Sequence, residues 1–229
     1  MEALSNAIYK NFIKDDRWRY ITSGLGVTLK VTFFAVLIGI LLGFLVAIIR
    51  STYDRTGKMK ILNAICKLYL TVIRGTPVVV QLLIIYFVVF ASTNVSKVLA
   101  AVLAFGINSG AYVAEICRSG IMSIDIGQLE AGRSLGFSYA QTMWYVILPQ
   151  AFKNVLPALG NEFIVLLKET SVAGYIALED LTKGGDIIRS RTYNAFFPLM
   201  AVAGIYLIMV LIFSHFVTLL ERRLKQSER

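Results

Sequence analysis

The run from Gly24 to Ile49 is apolar almost throughout, with Lys30 its single charged residue, close enough to one end to snorkel. A backbone that crosses hydrocarbon finds no water for its N–H and C=O groups, so a run of this length can fold there only as a self-bonded helix. About 20 apolar residues suffice to cross, and the stretch exceeds that. Further apolar segments lie at 61–90, 98–117, 143–167 and 196–220. With 57% hydrophobic residues in 229, one soluble core cannot take them all in. The expectation is an all-α membrane protein, a single transmembrane domain over 1–229 with five transmembrane helices.

Ahead of the first span, Tyr9, Phe12, Ile13 and Trp18 alternate with Lys10, Lys14, Arg17 and Arg19. That mixture suits an interfacial N-terminal helix over about 5–20, lying against membrane lipid. Acids and aromatics stand where a cleavable signal carries a basic region and an apolar core. The net charge of +9 lies between apolar runs and in the tail, where loops and lipid head groups account for it without nucleic acid. Lys and Arg are shared almost evenly between the two sides of a five-span chain, so charge does not set its orientation. Cys66 and Cys117 fall in or beside apolar segments and read as packing residues. His215 is the only histidine, and no metal site is expected.

The second segment is interrupted by Arg74-Gly75-Thr76-Pro77, and a proline inside a helix predicts a kink there. On the third, Asn108, Tyr112, Glu115 and Ser119 share one face, while Ser109, Gly110, Ala111 and Ala114 let neighbouring helices approach closely. Glu115 reads as an ion-pair partner of Arg118 and Arg74. The fourth segment carries Pro149, Lys153, Pro157, Asn161 and Glu162, which suits the wall of a polar cavity better than a lipid-facing anchor. A carboxylate within a span costs about 2.5 to 3.5 kcal/mol on insertion scales unless it is paired or wet. Glu162, with Asn161, Asn108 and Tyr112, and with Gln81 and Tyr86 from the second segment, is therefore the candidate substrate-binding set. Glu162 meets either a cationic side chain of a substrate or a structural partner such as Lys153 or a neighbouring subunit. Residues 168–192 read as a polar loop with a Gly184-Gly185 turn.

Between the third and fourth segments lies EAGRSLGFSYAQTMWYVILP, residues 130–149. Glu130 and Arg133 have helix spacing, Gly136 suits a left-handed closing residue, and Ser138 with Gln141 forms a capping box that starts a second helix at Tyr139. A helix over about 127–136 is expected.

This stretch resembles the EAA loop of the membrane-spanning subunits of bacterial ATP-binding-cassette (ABC) importers: Glu130, Ala131, Gly132, Gly136, Val146, Leu148 and Pro149 match it, with Gly132 replacing Ala and Val146 replacing Ile. Arg74-Gly75-Thr76-Pro77 with Gln81, Ala111 to Glu115 with Arg118, and Leu167 to Ser171 are similar to the polar amino-acid uptake family, whose members carry basic amino acids, glutamine or histidine. The resemblance implies a type I importer permease of a bacterial inner (plasma) membrane. Its N-terminus would lie outside, its C-terminus in the cytoplasm. It further implies a cytoplasmic coupling helix in which Glu130, Ala131, Gly132, Arg133, Leu135 and Gly136 dock on an ABC ATPase subunit. No phosphate-binding loop occurs here, so no cofactor is expected on this chain, and ATP with Mg would bind the partner. The other expected partners are a second permease copy or similar chain, an extracytoplasmic solute-binding protein and an amino-acid substrate, with arginine, lysine or histidine favoured by Glu162. No enzymatic activity is expected. The alternative is an ion-coupled secondary amino-acid transporter, with Glu162 binding a proton or sodium ion.

Overall fold

The computed structural model describes residues 2–226 and is helical nearly throughout. Helix α1 (Glu2–Ile8) continues into a π-helical turn (Tyr9–Ile13) and a 3₁₀ turn (Lys14–Asp16). The expected interfacial helix is thus three short pieces, and Trp18 to Tyr20 already belong to the next helix. Helix α2 (Trp18–Thr56) has 39 residues, well beyond 24–49. Nothing breaks it until Gly57, which takes φ +67° and returns its N–H to Tyr53 O.

Helix α3 (Lys60–Gly75) and helix α4 (Val78–Ile84), with a further π-helical turn to Val89, meet at Thr76-Pro77. The axes there bend by 108°, a break rather than a kink. Helix α5 (Lys97–Met122) starts on Ser96, whose Oγ accepts from Leu99 N. Helix α6 (Ile126–Ser134) is capped by Asp125, and Gly136 takes φ +88°. Both halves of the Ser138–Gln141 capping box form at the start of α7 (Tyr139–Thr142). A π-helical turn (Met143–Ile147) joins α7 to α8 (Leu148–Glu169). Neither proline interrupts this segment. Pro149 lies in the first turn of α8, where a missing N–H costs least, and Pro157 is carried inside a helix that continues past it.

Residues 168–192 are not a loop. A 3₁₀ turn (Thr170–Ile176) leads to helix α9 (Leu181–Thr192), capped by Asp180, which accepts from Thr182 N and Lys183 N. Gly184 and Gly185 lie inside α9 as close-packing residues: a Cβ on Gly184 would strike Tyr20 O, and one on Gly185 would strike Val202 Cγ2. On its outer side Asp186 pairs with Arg189 and Lys183, whose hydrogen bonds hold its carboxyl below the usual range. Helix α10 (Phe196–Gln226) closes the chain.

Among the described residues, three helices, α2, α5 and α10, are long and apolar enough to cross a membrane, and the bent pair α3/α4 makes a fourth candidate. Helix α8 has the length but not the apolarity, and it packs on α5 and α10. The most extensive pairing is α2 with α5, which run side by side in the same direction. Glycines make it close. A Cβ on Gly39 would stand 2.9 Å from Ser109 Oγ, and one on Gly43 2.6 Å from Val113 Cβ. Around this seam Val31, Ala35, Leu82, Phe105 and Leu166 form the main core, and Ile21, Leu167, Leu181 and Ile188 a second beside α9.

Gly43→Val should destabilise the fold by about 1–3 kcal/mol by forcing α2 away from α5. Gly26, with nothing near its Cβ position, should accept Ala with little change. Thermal unfolding in detergent reads both, and equal loss at the two positions would contradict this packing.

Candidate functional site

Glu162 lies on α8 facing α5 and is 9% exposed. Its Oε1 accepts from Ser109 Oγ at 2.8 Å, and no cationic side chain pairs with it among the described residues. Lys153 is therefore not its partner. Ser109 reads in sequence as a small packing residue. Its hydroxyl role depends on α8, 53 positions away, and carries no local signal. Asn161 points elsewhere and is exposed.

Gln81 and Asn108 meet each other. Asn108 Nδ2 donates to Gln81 Oε1 at 2.9 Å. Gln81 Nε2 is within bonding distance of Ile73 O (2.7 Å), Thr76 Oγ1 (2.8 Å) and Thr76 O (3.0 Å), backbone and side chain freed where α3 ends. Both side chains are buried, so they staple the broken helix instead of facing an open cavity with Glu162. Tyr86 packs against Phe87 and the main core. Tyr112 lies beneath the Arg74 guanidinium, 5.8 Å from ring centre to Cζ. Of the expected substrate set, Glu162 thus meets Ser109, Gln81 meets Asn108, and Tyr86 and Tyr112 contact Phe87 and Arg74.

Glu115 collects three arginines. Arg50 Nη1 is at 2.7 Å, Arg118 Nε at 3.2 Å and Arg74 Nη1 at 3.6 Å. Arg118 also reaches Asp54 at 3.4 Å, and Arg55 Nη2 donates to Ile121 O. Arg50, the shortest contact and the most buried of the three, comes from α2 and was not apparent from sequence. The cluster ties together α2, α5 and the end of α3.

On α6, Glu130, Ala131, Arg133 and Leu135 are exposed, Leu135 at 78%. Arg133 Nη1 donates to Phe137 O at 3.4 Å across the Gly136 turn. Gly132 is different, because it is buried. A Cβ there would lie 2.5 Å from Thr142 Cγ2, so this position faces the chain's own next helix and not an outer surface. The expectation that Gly132 contributes to a docking face is corrected.

The sequence pattern described as "Binding-protein-dependent transport system inner membrane component" matches residues 37–226. The chain belongs to that family. A putative glutamine transport system permease protein of Rickettsia typhi is 38% identical over 207 residues, covering 90% of this chain and 93% of the relative. An arginine transport system permease protein of Bacillus subtilis is 38% identical over 211 residues, covering 91% and 94%. An amino acid ABC transporter whose crystal structure was determined with histidines superposes with a TM-score of 0.81 at 48% identity, covering 90% and 94%. The chain is thus an inner-membrane permease of an amino-acid ABC importer, with a type I importer fold, and its homologues are transport subunits rather than enzymes. The ion-coupled alternative gives way to this membership. As in any such permease, an ATPase and a substrate-binding protein are its implied partners. Among the described residues no group of His, Cys, Asp and Glu could hold a metal ion.

In this permease, Arg50→Gln should cost about 1.5–3 kcal/mol, the range for hydrogen bonds to charged groups. Arg74→Gln, at a longer and more exposed contact, should cost about 0.2–1 kcal/mol. Double-mutant cycles against Glu115→Gln measure both couplings, and a larger one for Arg74 would reverse the reading. On α6, Gly132→Ala should lower the melting temperature, and adding Thr142→Ser, which removes the methyl at 2.5 Å but leaves the hydroxyl at 2.9 Å, should restore part of the loss. Failure of the second change to rescue the first would mean that the two residues do not compete for space.

Proposed function

We propose that this chain, paired with a second copy or a similar chain, forms the translocation pathway for polar amino acids with a cationic side chain: arginine, lysine or histidine. ATP and Mg bind on a separate ATPase, which docks against the exposed face of α6 through Glu130, Ala131, Arg133 and Leu135, with Gly136 setting the turn. That face lies in the cytoplasm with the C-terminus, the N-terminus lies outside, and a solute-binding protein delivers substrate from the outer side. Glu162 and Ser109 contact the substrate in the membrane.

The observation that carries this reading is Glu162 itself. Its carboxylate is buried on α8 against α5, has one hydroxyl donor and has no counter-cation among the described residues. A lone carboxylate in such a place is costly, and a substrate guanidinium or ammonium offsets that cost on arrival. The exposed Asn161 on the adjoining face offers an amide toward the companion chain. A neutral substrate is the competing case, since several relatives' names, those from Rickettsia and Escherichia coli among them, specify glutamine.

Reconstituted vesicles with the partner ATPase test the assignment. In Glu162→Gln, arginine uptake should lose about 10- to 100-fold in apparent affinity, the equivalent of about 1.5–3 kcal/mol for a charged hydrogen bond, while the protein still assembles with its ATPase. Arginine uptake at unchanged affinity, or a wild-type preference for glutamine over arginine, would overturn it.

A further inference from the structure

Beside the Glu115 cluster is a cavity of about 560 Å³ lined by Arg50, Lys67, Thr71, Arg74, Tyr112 and Glu115, together with backbone and apolar groups of α3. Its charge does not balance. Three cations face one carboxylate, and that carboxylate is already held by Arg50, by Arg74 and, from outside the cavity lining, by Arg118. Lys67 has no ion pair among the described residues. Arg74 holds Glu115 only at 3.6 Å and is 46% exposed along its side chain. Arg50 Nε is buried without a hydrogen-bond partner.

We infer that this cavity binds the phosphate of an anionic phospholipid headgroup, with Lys67 and Arg74 as its principal cations and Thr71 as a hydroxyl donor. A soluble carboxylate or free phosphate shares the oxyanion chemistry, and the form of α3 distinguishes the lipid. Lys67, Thr71 and Arg74 recur at helical spacing along one stripe of α3, and the adjoining stripe of Ile61, Ile65, Leu68 and Val72 is apolar and exposed. A basic pocket bordered by an open apolar face fits a headgroup and its acyl chains, whereas a soluble anion has no use for the apolar stripe. Arg50 lies within two turns of the end of α2, and Asp54 and Arg118 join its cluster from the last turns of α2 and α5, so the site lies toward that end of the bundle, where headgroups would meet it. Its assignment to the inner leaflet rests on the orientation proposed above.

The test uses the full chain, purified with the subunits that accompany it and passed through nanodiscs of mixed phosphatidylglycerol and phosphatidylcholine. Native mass spectrometry counts the lipids retained after transfer to detergent. The wild type should retain phosphatidylglycerol in preference to phosphatidylcholine. Lys67→Glu, a change of two charge units at about fivefold each, should lower that retention about 25-fold. Lys67→Ala should lower it about fivefold and carries the test if the reversal disturbs folding. Lys58→Glu, outside the cavity, should leave it within about twofold. No preference in the wild type, or equal loss at Lys58 and Lys67, would overturn the inference. So would displacement of the lipid by millimolar arginine, glutamine or inorganic phosphate, which would assign the cavity to a soluble oxyanion. Retention is read without ATP or uptake, so it fails or holds independently of the transport assignment.

Discussion

The close approach of α2 and α5 is the constraint on which the other contacts depend. Two helices can come together backbone to backbone only where side chains are absent, and Gly39 and Gly43 provide that on α2, Gly106 and Gly110 on α5. Their parallel course brings residues of matching depth together: Ser109 lies behind Gly39, Val113 behind Gly43, and Glu115 within reach of Arg50. Widening the seam by the thickness of a methyl group would loosen the Arg50–Glu115 contact. It would also shift Ser109, whose Oγ faces Gly39, against Glu162. The polar sites therefore inherit their geometry from an apolar one.

A second consequence concerns the break between α3 and α4. A bend of 108° leaves carbonyls near Ile73 and Thr76 without helical donors. Gln81 supplies the donor from the first turns of the next helix, and Asn108 on α5 holds Gln81 in place. The break is thus a satisfied structural corner. It also sets Arg74, at the end of α3, next to Tyr112 and Glu115.

Features written in neighbouring residues were legible in the sequence. The Ser138–Gln141 box, the Gly136 turn and the interruption at Thr76-Pro77 depend on spacing within one or two turns, and the structure has all three. Features that depend on what packs across the fold were not. Gly184-Gly185 has the composition of a turn, but its meaning comes from Tyr20 and Val202, so a helix replaced the expected loop. Gly132 has the exposure pattern of its neighbours only until Thr142 is seen against it. Pro149 and Pro157 look like breaks, yet one occupies the first turn of a helix and the other is held within it by packing on α5 and α10. Glu162 and Glu115 stand out as intramembrane acids, while Ser109 and Arg50 lie 53 and 65 positions from them, beyond any local pattern.

The Gly132–Thr142 contact has a mechanical side. With no side chain between them, α6 rests directly on the start of the segment that runs through α7 and the π-helical turn into α8. From Thr142 to Glu162 that segment is helical at every residue, a rod of about 30 Å at 1.5 Å per residue. In the docking proposed above, a displacement of α6 would pass through this contact into that helical run. The buried carboxylate of Glu162 lies on the same run, beside Ser109, so the two candidate sites share one continuous helical connection.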